Sequence, residues 1–436
     1  MPIGHVPRQI SVIARGAVTR QCGPGDIVTI TGIYLPSPYT GFAAMRAGLH
    51  HDTHIEVYKI TKDKVNFKEF MLSDEMMEKV MDLKNNSESD ESLFLQMATS
   101  ICPEIFSMEE VKQALLLLMI GGVNKEMKDG MRIRGQINAL LMGDPGVAKS
   151  QLLKHISTFA PRGVYTTGKG SSGVGLTAAV LKDPNTGEVT LEGGALVLAD
   201  TGICCIDEFD KMDDRDRTNI HEVMEQQTIS IAKAGITTSL NARTSILAAA
   251  NPQYGRYNKT KSPHENINLP AALLSRFDIL ILLLDTADGE RDMRLAQHVT
   301  QVHQKCAAPV NTRQNIVPSE VMRSYIAYAQ TFNPTIPAEL HNYIVARYVE
   351  KRKFQKEGKE ELSYTYVTPR TLLAFIRISQ AMAKFHFRNF VEQTDVDQAI
   401  KLIDYSFRTL QEMKGERAEN RMFSKYLIYY FDLIFF

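Results

Sequence analysis

The chain has 436 residues, and its 50 Lys and Arg residues balance its 50 Asp and Glu residues. This length has room for about three domains of about 150 residues and for a sizeable core. A zero formal net charge excludes a basic surface that covers the whole protein, so any nucleic-acid contact must come from local patches.

The cysteines and the apolar segments further limit the class of protein that this sequence can be. None of the five cysteines forms a C-x-x-C pair, so we expect reduced thiols in an intracellular protein and no zinc ribbon. The N-terminal segment MPIGHVPRQI lacks the apolar core of a signal peptide. The apolar segment at 426–436 is about half as long as the ~20 residues of a membrane span, so we expect no membrane partner.

The first 62 residues predict strands. Their segments ISVIARG, DIVTITGIYL and HIEVYKI are rich in β-branched residues, and CGPGD is a turn signal between the first two. Residues 63–106 predict a helical linker that contains a polar segment, NNSESDES. Ser107 and Glu110 then have the spacing of a capping box before an apolar helix.

Residues 107–310 predict an α/β domain. The short apolar segments INALLM, GICCID, SILAAAN and DILILLL are typical of buried parallel strands, and helical segments separate most of them. Residues 311–412 predict a domain of at least four helices and no strand. Thr368 before Pro369 and Thr394 before Asp395 are N-cap signatures there. Residues 413–436 are left unassigned.

The segment GDPGVAKS at 143–150 nearly fits the phosphate-loop pattern G-x-x-x-x-G-K-[ST], with Ala148 where the pattern has glycine. A strand, INALLM, precedes it and a helix, SQLLKHIS, follows it, as phosphate binding requires. An ordinary Gly-Pro turn with an exposed lysine is the alternative. The residues expected to contact the nucleotide are Gly143, Asp144, Pro145, Gly146, Val147, Ala148, Lys149, Ser150 and Gln151.

The segment ICCIDEFDKM supplies the acidic half of such a site. Asp207, at the end of a buried strand, can hold Mg²⁺ together with Ser150, and Glu208 can polarise the attacking water. A strand that runs into an acidic helix cap would have the same sequence. Its place after GDPGVAKS in an α/β pattern favours the ATPase interpretation.

GDPGVAKS, ICCIDEFDKM, AAANP and LPAALLSRFD, in this order, closely resemble the minichromosome maintenance (MCM) replicative helicases, which are AAA+ ATPases. The segments ADTGICCIDEFDKM and HEVMEQQTISIAKAGI are most similar to one paralogue of the eukaryotic ring. The family's own loop has alanine before the lysine. The resemblance implies an AAA+ P-loop ATPase core with a parallel sheet and β-hairpin inserts, preceded by a partial OB-fold and followed by a helical lid.

The resemblance also implies roles for single residues. Asn251 matches the sensor-1 asparagine that orients the water. Arg276 matches the arginine finger and Arg370 matches sensor 2, and both act on the ATP of a neighbouring subunit. Phe106, in CPEIF, matches the segment that surrounds the adenine.

Two predicted hairpins resemble the DNA-binding inserts of the family. TISIAKAGITTS places Lys233 near one tip, and LTAAVLKDPNTGEVTLEGG places Lys182 near the other. Repeated around a ring, such lysines would grip the phosphate backbone. A tip lysine that only keeps a hairpin soluble is the alternative.

The resemblance therefore implies an ATP- and Mg²⁺-dependent helicase subunit in a nuclear heterohexamer. The implied partners are other MCM subunits, single- and double-stranded DNA, and replication initiation and fork factors. Only the last part of the family's OB-fold is matched, and neither zinc ligands nor a winged helix is recognised. A protein-remodelling AAA+ ATPase and a catalytically silent ring member are the alternatives.

Overall fold

The structure is a computed structural model of the chain. It describes residues 10–22, 28–37, 51–62, 74–85, 89–130, 132–169, 173–182, 189–233, 236–258, 266, 269–285, 288–305, 316–357 and 368–409. The chain divides into two compact units, residues 1–65 and 66–436. The unassigned segment 413–436 lies outside the described residues.

The first unit is a three-stranded sheet that confirms the predicted strands. Its strands are β1 (Ser11–Ile13), β2 (Val28–Ser37) and β3 (Asp52–Lys62), in the order β1-β3-β2. Strand β3 pairs antiparallel with β2 and parallel with β1. A register shift falls at Gly32, where a Cβ would lie 2.3 Å from the Glu56 carbonyl oxygen. The missing side chain therefore allows the close approach of the two strands.

The second unit is built on a parallel sheet. Its strands are β4 (Lys125–Glu126), β5 (Arg132–Ile133), β6 (Ala139–Gly143), β7 (Gly163–Thr167), β8 (Ala178–Lys182), β9 (Val189–Gly193), β10 (Ile203–Asp207), β11 (Thr228–Lys233), β12 (Ile236–Asn241), β13 (Ser245–Ala250) and β14 (Ile279–Leu283). Five of them form the parallel sheet in the order β14-β6-β13-β10-β7, which confirms the prediction.

The order of the strands decides where a ligand can bind. Strand β6 lies between β14 and β13, while the next strand of the sheet along the chain, β7, is at the edge. The chain must therefore leave β6 at a switch point, where open α/β sheets bind ligands beyond the carboxyl ends of their strands. GDPGVAKS begins at the last residue of β6.

Two cores cover the two faces of the sheet. Strands β6, β10 and β13 are buried at every position, as strands covered on both faces must be. Along β6, Leu141 faces one core while Leu140 and Met142 face the other. This alternation follows the two-residue period of a strand.

The helices of the second unit surround the sheet and form the lid. They are α1 (Asp74–Asn85), α2 (Asp90–Ser100), α3 (Glu109–Ile120), α4 (Lys149–Phe159), α5 (Gly173–Leu176), α6 (Ala195–Leu198), α7 (Asp214–Gln226), α8 (Ala271–Leu274), α9 (Gly289–Lys305), α10 (Ser319–Gln330), α11 (Ala338–Glu357), α12 (Pro369–Phe385) and α13 (393–409). Helices α10 to α13 confirm the predicted helical lid. None of the described helices is long and apolar enough to cross a membrane.

Two predicted helix starts were wrong, and part of a predicted linker is helical. Helix α3 begins at Glu109 after Met108, whose φ of 63° leaves no place for the predicted capping box. Part of the predicted polar linker belongs to α2, because Ser89 forms a capping box with Ser92. Helix α13 begins at 393, one residue before the predicted cap.

The helix start at α13 uses the neighbouring aspartate instead. The Asp395 carboxylate accepts the backbone N–H of Glu392 at 3.0 Å, which is the reciprocal half of a capping box. By contrast, α12 starts at Pro369 after Thr368 as predicted, although the Thr368 side chain makes no capping hydrogen bond.

Candidate nucleotide site

The backbone of the phosphate loop needs unusual conformations. Gly143 has a φ of 148°, and a Cβ there would lie 1.9 Å from the Leu283 carbonyl oxygen. Gly146 has a φ of 92°, and Ala148 has a φ of 58°, just before α4 begins at Lys149. The position that the phosphate-loop pattern assigns to glycine is therefore left-handed here, and Ala148 adopts that conformation at a cost of about 1–2 kcal/mol. Ala148 is therefore strained, and the loop still leads directly into α4.

Lys149 is buried inside this loop. Its ammonium donates to the Gly143 carbonyl at 2.7 Å and to the Asp144 carbonyl at 2.6 Å. Burial lowers the pKa of Lys149 to about 8, against the opposing charges of Asp144, Asp207 and Asp210. The carboxyl ends of β6 and β10 thus bring a cation and three carboxylates close together.

The Asp144 carboxylate fixes the loop to its surroundings. It accepts the backbone N–H of Tyr257 at 2.7 Å and that of Asp285 at 3.3 Å. The backbone N–H of Asp144 also donates to Leu283 at 3.1 Å. Asp144 therefore ties the loop to the segments that follow β13 and β14, so its side chain supports the loop rather than lining it.

The acidic strand end is held in place from two sides. The Asp207 carboxylate accepts the Glu208 backbone N–H at 2.9 Å and the Tyr165 hydroxyl at 3.0 Å. Burial, and next the hydrogen bond to Asp207, raise the pKa of Tyr165 to about 12, so the phenol remains a donor. Glu208 has a φ of 51°, and its carboxylate accepts a hydrogen bond from Lys211 at 2.7 Å.

Asn251 lies directly after β13, the strand next to both β6 and β10. Its backbone N–H donates to the Asp210 carboxylate at 3.0 Å. Asp210 also contributes to the field around Lys149. The structure thus brings Lys149, Asp207 and Asn251 to the same edge of the sheet.

A cavity of about 800 Å³ opens beside the loop. The loop residues Pro145 to Ala148 form one wall, and α9 forms another. Phe106 also lines the cavity, and its ring lies 5.4 Å from that of His298 on α9. A ring nitrogen of His298 lies 3.0 Å from the Glu104 carbonyl oxygen, so α9 holds this segment in place. A cavity of this size, lined in part by apolar side chains and bounded by a phosphate loop, fits a nucleoside triphosphate.

The site has the few protein ligands that a magnesium ion needs when phosphate oxygens supply most of its other ligands. Among the described residues, no group of three or more His, Cys, Asp and Glu could hold a metal ion by itself. Magnesium usually takes one or two protein ligands and completes its shell with water and phosphate oxygens. Ser150, in the first turn of α4, and the buried Asp207 are suited to that role.

Arg276 and Arg370 lie together, and both contact α7. Arg276 Nε lies 3.0 Å from a Glu225 carboxylate oxygen, and Arg370 donates to the same oxygen at 2.8 Å. Arg276 also contacts His221 Nδ1 at 3.0 Å, and Arg370 donates to Ser275 Oγ at 2.9 Å. These two residues and Glu225 are hereafter called the arginine cluster.

The two hairpins confirm the predicted strand pairs. Strand β11 pairs antiparallel with β12, and β8 pairs antiparallel with β9. Lys233 is the last residue of β11 and Lys182 the last residue of β8, so each stands next to its turn. The turns at 234–235 and 183–188, and both lysine side chains, lie outside what the structure describes.

The sequence analysis missed three residues that hold the predicted site residues in place. Tyr165 holds Asp207, Asp210 holds Asn251, and Glu225 holds both arginines. Asp210 could have been found, because it lies within ICCIDEFDKM. Tyr165 and Glu225 had no such signal, since their partners are 42 and up to 145 residues away.

A five-stranded parallel sheet with a phosphate loop at its switch point, an acidic strand end beside it and a helical lid defines an AAA+ P-loop protein. Comparison with protein-family models specifies the family. The MCM P-loop domain matches residues 78–303, the MCM AAA-lid domain matches 320–407, and the MCM OB domain matches 1–38. The chain belongs to the MCM family.

Curated relatives agree with this result and with the predicted paralogue, which is subunit 7. The chain is 56% identical to DNA replication licensing factor mcm7 of Schizosaccharomyces pombe, over 94% of the chain and 54% of the relative. It is 54% identical to MCM7 of Arabidopsis thaliana and 52% identical to mcm7-B of Xenopus laevis, over 96% and 97% of the chain and 57% of each relative. The chain thus spans about half the length of the curated relatives it matches.

Proposed function

We propose that the chain is an ATP-hydrolysing subunit of a hexameric MCM ring that unwinds DNA during replication in the nucleus. Its proposed partners are other MCM subunits, single- and double-stranded DNA, and replication initiation and fork factors. A role in DNA replication is supported by membership of the MCM family and by relatives that are named as replication licensing factors. The proposal that ATP is hydrolysed at sites shared between subunits rests mainly on the contacts of the arginine cluster.

Besides Lys149, the proposed site needs a second cation that the loop does not supply. Charge on the transferred phosphoryl group is stabilised by an arginine in many nucleotide hydrolases. Arg276 and Arg370 match that role in the family, yet their contacts run to α7, to α8 and to Ser275 directly after it, rather than to the phosphate loop. This separation supports a site in which one subunit binds ATP and a neighbour supplies the arginines.

Within its own half of the site, each residue has a proposed task. Lys149 and the backbone of the loop bind the phosphates, and Ser150 with Asp207 would hold Mg²⁺. A bound magnesium ion would neutralise phosphate charge. Glu208 accepts the proton of the attacking water, and Asn251 orients that water. Tyr165 and Asp210 keep Asp207 and Asn251 in place through the hydrogen bonds described above.

The paired hairpins favour a helicase over an ATPase that remodels proteins. Each places a lysine beside its turn, and six copies around a ring would offer a repeated contact to the phosphate backbone. A catalytically silent ring member is the other alternative, and the presence of both Asp207 and Glu208 favours hydrolysis instead.

The proposal is tested by measuring ATPase activity of the isolated chain over a range of concentrations, and then with MCM partner subunits. We expect weak activity alone and a large increase in the assembled ring, because an arginine supplied by a neighbour is worth about 10³–10⁵ in rate in other nucleotide hydrolases. DNA unwinding should appear only in the ring. Full activity that is independent of concentration in a monodisperse monomer would contradict the shared site.

A further inference from the structure

Glu225 contacts two arginines, Arg276 and Arg370, that belong to different parts of the chain. It lies in the last turn of α7, whereas Arg276 follows α8 and Arg370 is in the first turn of α12. One oxygen of its carboxylate contacts both guanidinium groups, at 3.0 and 2.8 Å. A single carboxylate therefore links an arginine of the core domain to an arginine of the lid.

The surroundings of this carboxylate are otherwise cationic. Arg134 donates to the Arg276 backbone carbonyl at 3.2 Å and adds a third positive charge, which also pairs with the Asp278 carboxylate at 3.6 Å. Burial alone would raise the pKa of Glu225, but the charges of Arg370 and Arg276 lower it overall. Burial, and then the same two arginines, lower the pKa of His221, so its imidazole remains neutral beside Arg276.

We propose that Glu225 is a positioning residue for both arginines, which it holds in the arrangement that a neighbouring subunit's nucleotide needs. This inference rests on the proposed function, because it assigns Arg276 and Arg370 to that nucleotide. Glu225 acts through them and does not itself touch ATP. Its carboxylate balances two like charges that would otherwise repel each other and move apart.

The arginines can bind phosphate without leaving Glu225. A guanidinium has five N–H donors. The contacts of Arg276 with Glu225, His221 and Ala272 use its Nε and one terminal nitrogen, NH1. Its other terminal nitrogen can add a phosphate contact while the ion pair persists. The Glu225 side chain is half exposed, and Arg370 and Arg276 keep 38% and 20% of their side chains exposed, so part of the cluster is accessible to a neighbour.

Substitutions of Glu225 test this role in the assembled ring. The phosphate-loop lysines are replaced in every subunit, Lys149 of this chain included, except in the neighbour whose nucleotide receives Arg276 and Arg370, so that only the site completed by this chain's arginines turns over. We expect Glu225→Gln to lower kcat about 10–100-fold with KM for ATP within about threefold, because a displacement of about 1 Å can cost 10²-fold. Glu225→Asp retains the charge and should recover part of the loss.

Asp214→Asn is the matched control. Asp214 is a carboxylate on the same helix that pairs with Arg217 at 3.3 Å, away from the arginine cluster. We expect this variant to keep the wild-type kcat, and we expect native mass and melting temperature to match the wild type in every variant that assembles.

The outcomes separate the inference from the proposed function. If Arg276→Ala abolishes turnover at this site while Glu225→Gln leaves kcat unchanged, Glu225 has no positioning role. If Arg276→Ala also leaves kcat unchanged, the shared site itself is wrong. Should Glu225→Gln fail to assemble, Glu225→Asp decides: a reduced kcat supports the inference, and a wild-type kcat in an assembled ring overturns it.

Discussion

The phosphate loop and the arginine cluster differ in which groups form them and in how exposed those groups are. The loop is built from backbone around a buried lysine, only 6% of which is exposed. The cluster is built from side chains that converge from three elements, and half of the Glu225 side chain is exposed. This difference agrees with the proposed function, in which the loop binds the chain's own nucleotide and the arginine cluster completes the site of another subunit.

The largest expected effect concerns chemistry at the loop. Glu208→Gln should lower ATP turnover in the ring about 10²–10⁴-fold, because a general base is lost, while ATP binding persists. The measurement pairs single-turnover hydrolysis with equilibrium binding of ATP. Hydrolysis at the wild-type rate would assign the base to another residue.

Loss of the buried cation should affect binding instead. Lys149→Ala should weaken ATP binding about 10–100-fold, since a hydrogen bond to a charged group contributes about 1.5–3 kcal/mol. Titration with a fluorescent ATP analogue measures this change, and Glu208→Gln is the control that retains affinity. Equal affinity in both variants would mean that Lys149 does not contact the phosphates.

The hairpins are a third region, which we expect to contact DNA rather than ATP. Lys233→Ala should leave ATP binding unchanged and weaken DNA binding by the assembled ring, with Lys401→Ala on α13 as the control. The plot of log affinity against log salt concentration should become shallower, because fewer phosphates are neutralised. A salt dependence identical to wild type would indicate that the hairpin packs on protein rather than on DNA.

The smallest expected effect concerns strain in the loop. Ala148→Gly should change the free energy of unfolding by less than about 1 kcal/mol, because relief of the left-handed alanine is offset by a more flexible unfolded chain. Gly146→Ala should destabilise by about 1–2 kcal/mol, since its φ of 92° disfavours any side chain although nothing lies within 4 Å of the added Cβ. Urea unfolding measures both. A strongly destabilised Ala148→Gly variant would show that the methyl group packs in the site.

The two regions also differ in how far the sequence predicts them. The loop follows from local spacing and from the strand and helix on either side of GDPGVAKS. The left-handed Ala148 could not be predicted from composition, because the conformation is imposed by the helix start. The helix starts predicted at Ser107 and Thr394 were wrong for different reasons: α3 begins after the left-handed Met108, and at α13 the Asp395 carboxylate caps the Glu392 backbone N–H in place of the predicted threonine cap.

The arginine cluster could not be predicted from its residues alone. Family resemblance identified Arg276 and Arg370 one at a time, and neither match indicates that they share a partner. Their common contact, Glu225, depends on how α7, α8 and α12 pack, over separations of 51 and 145 residues. Contacts of that kind are set by tertiary structure rather than by local pattern.

The central claim is that this chain completes two different ATP sites. The most direct test uses two rings: one in which only the site at this chain's phosphate loop is competent, and one in which only the neighbouring site, completed by Arg276, is competent. We predict that Lys149→Ala stops turnover in the first ring and not in the second, and that Arg276→Ala does the reverse. If both variants stop the same site and spare the other, the loop and the arginine serve a single nucleotide and the account is contradicted.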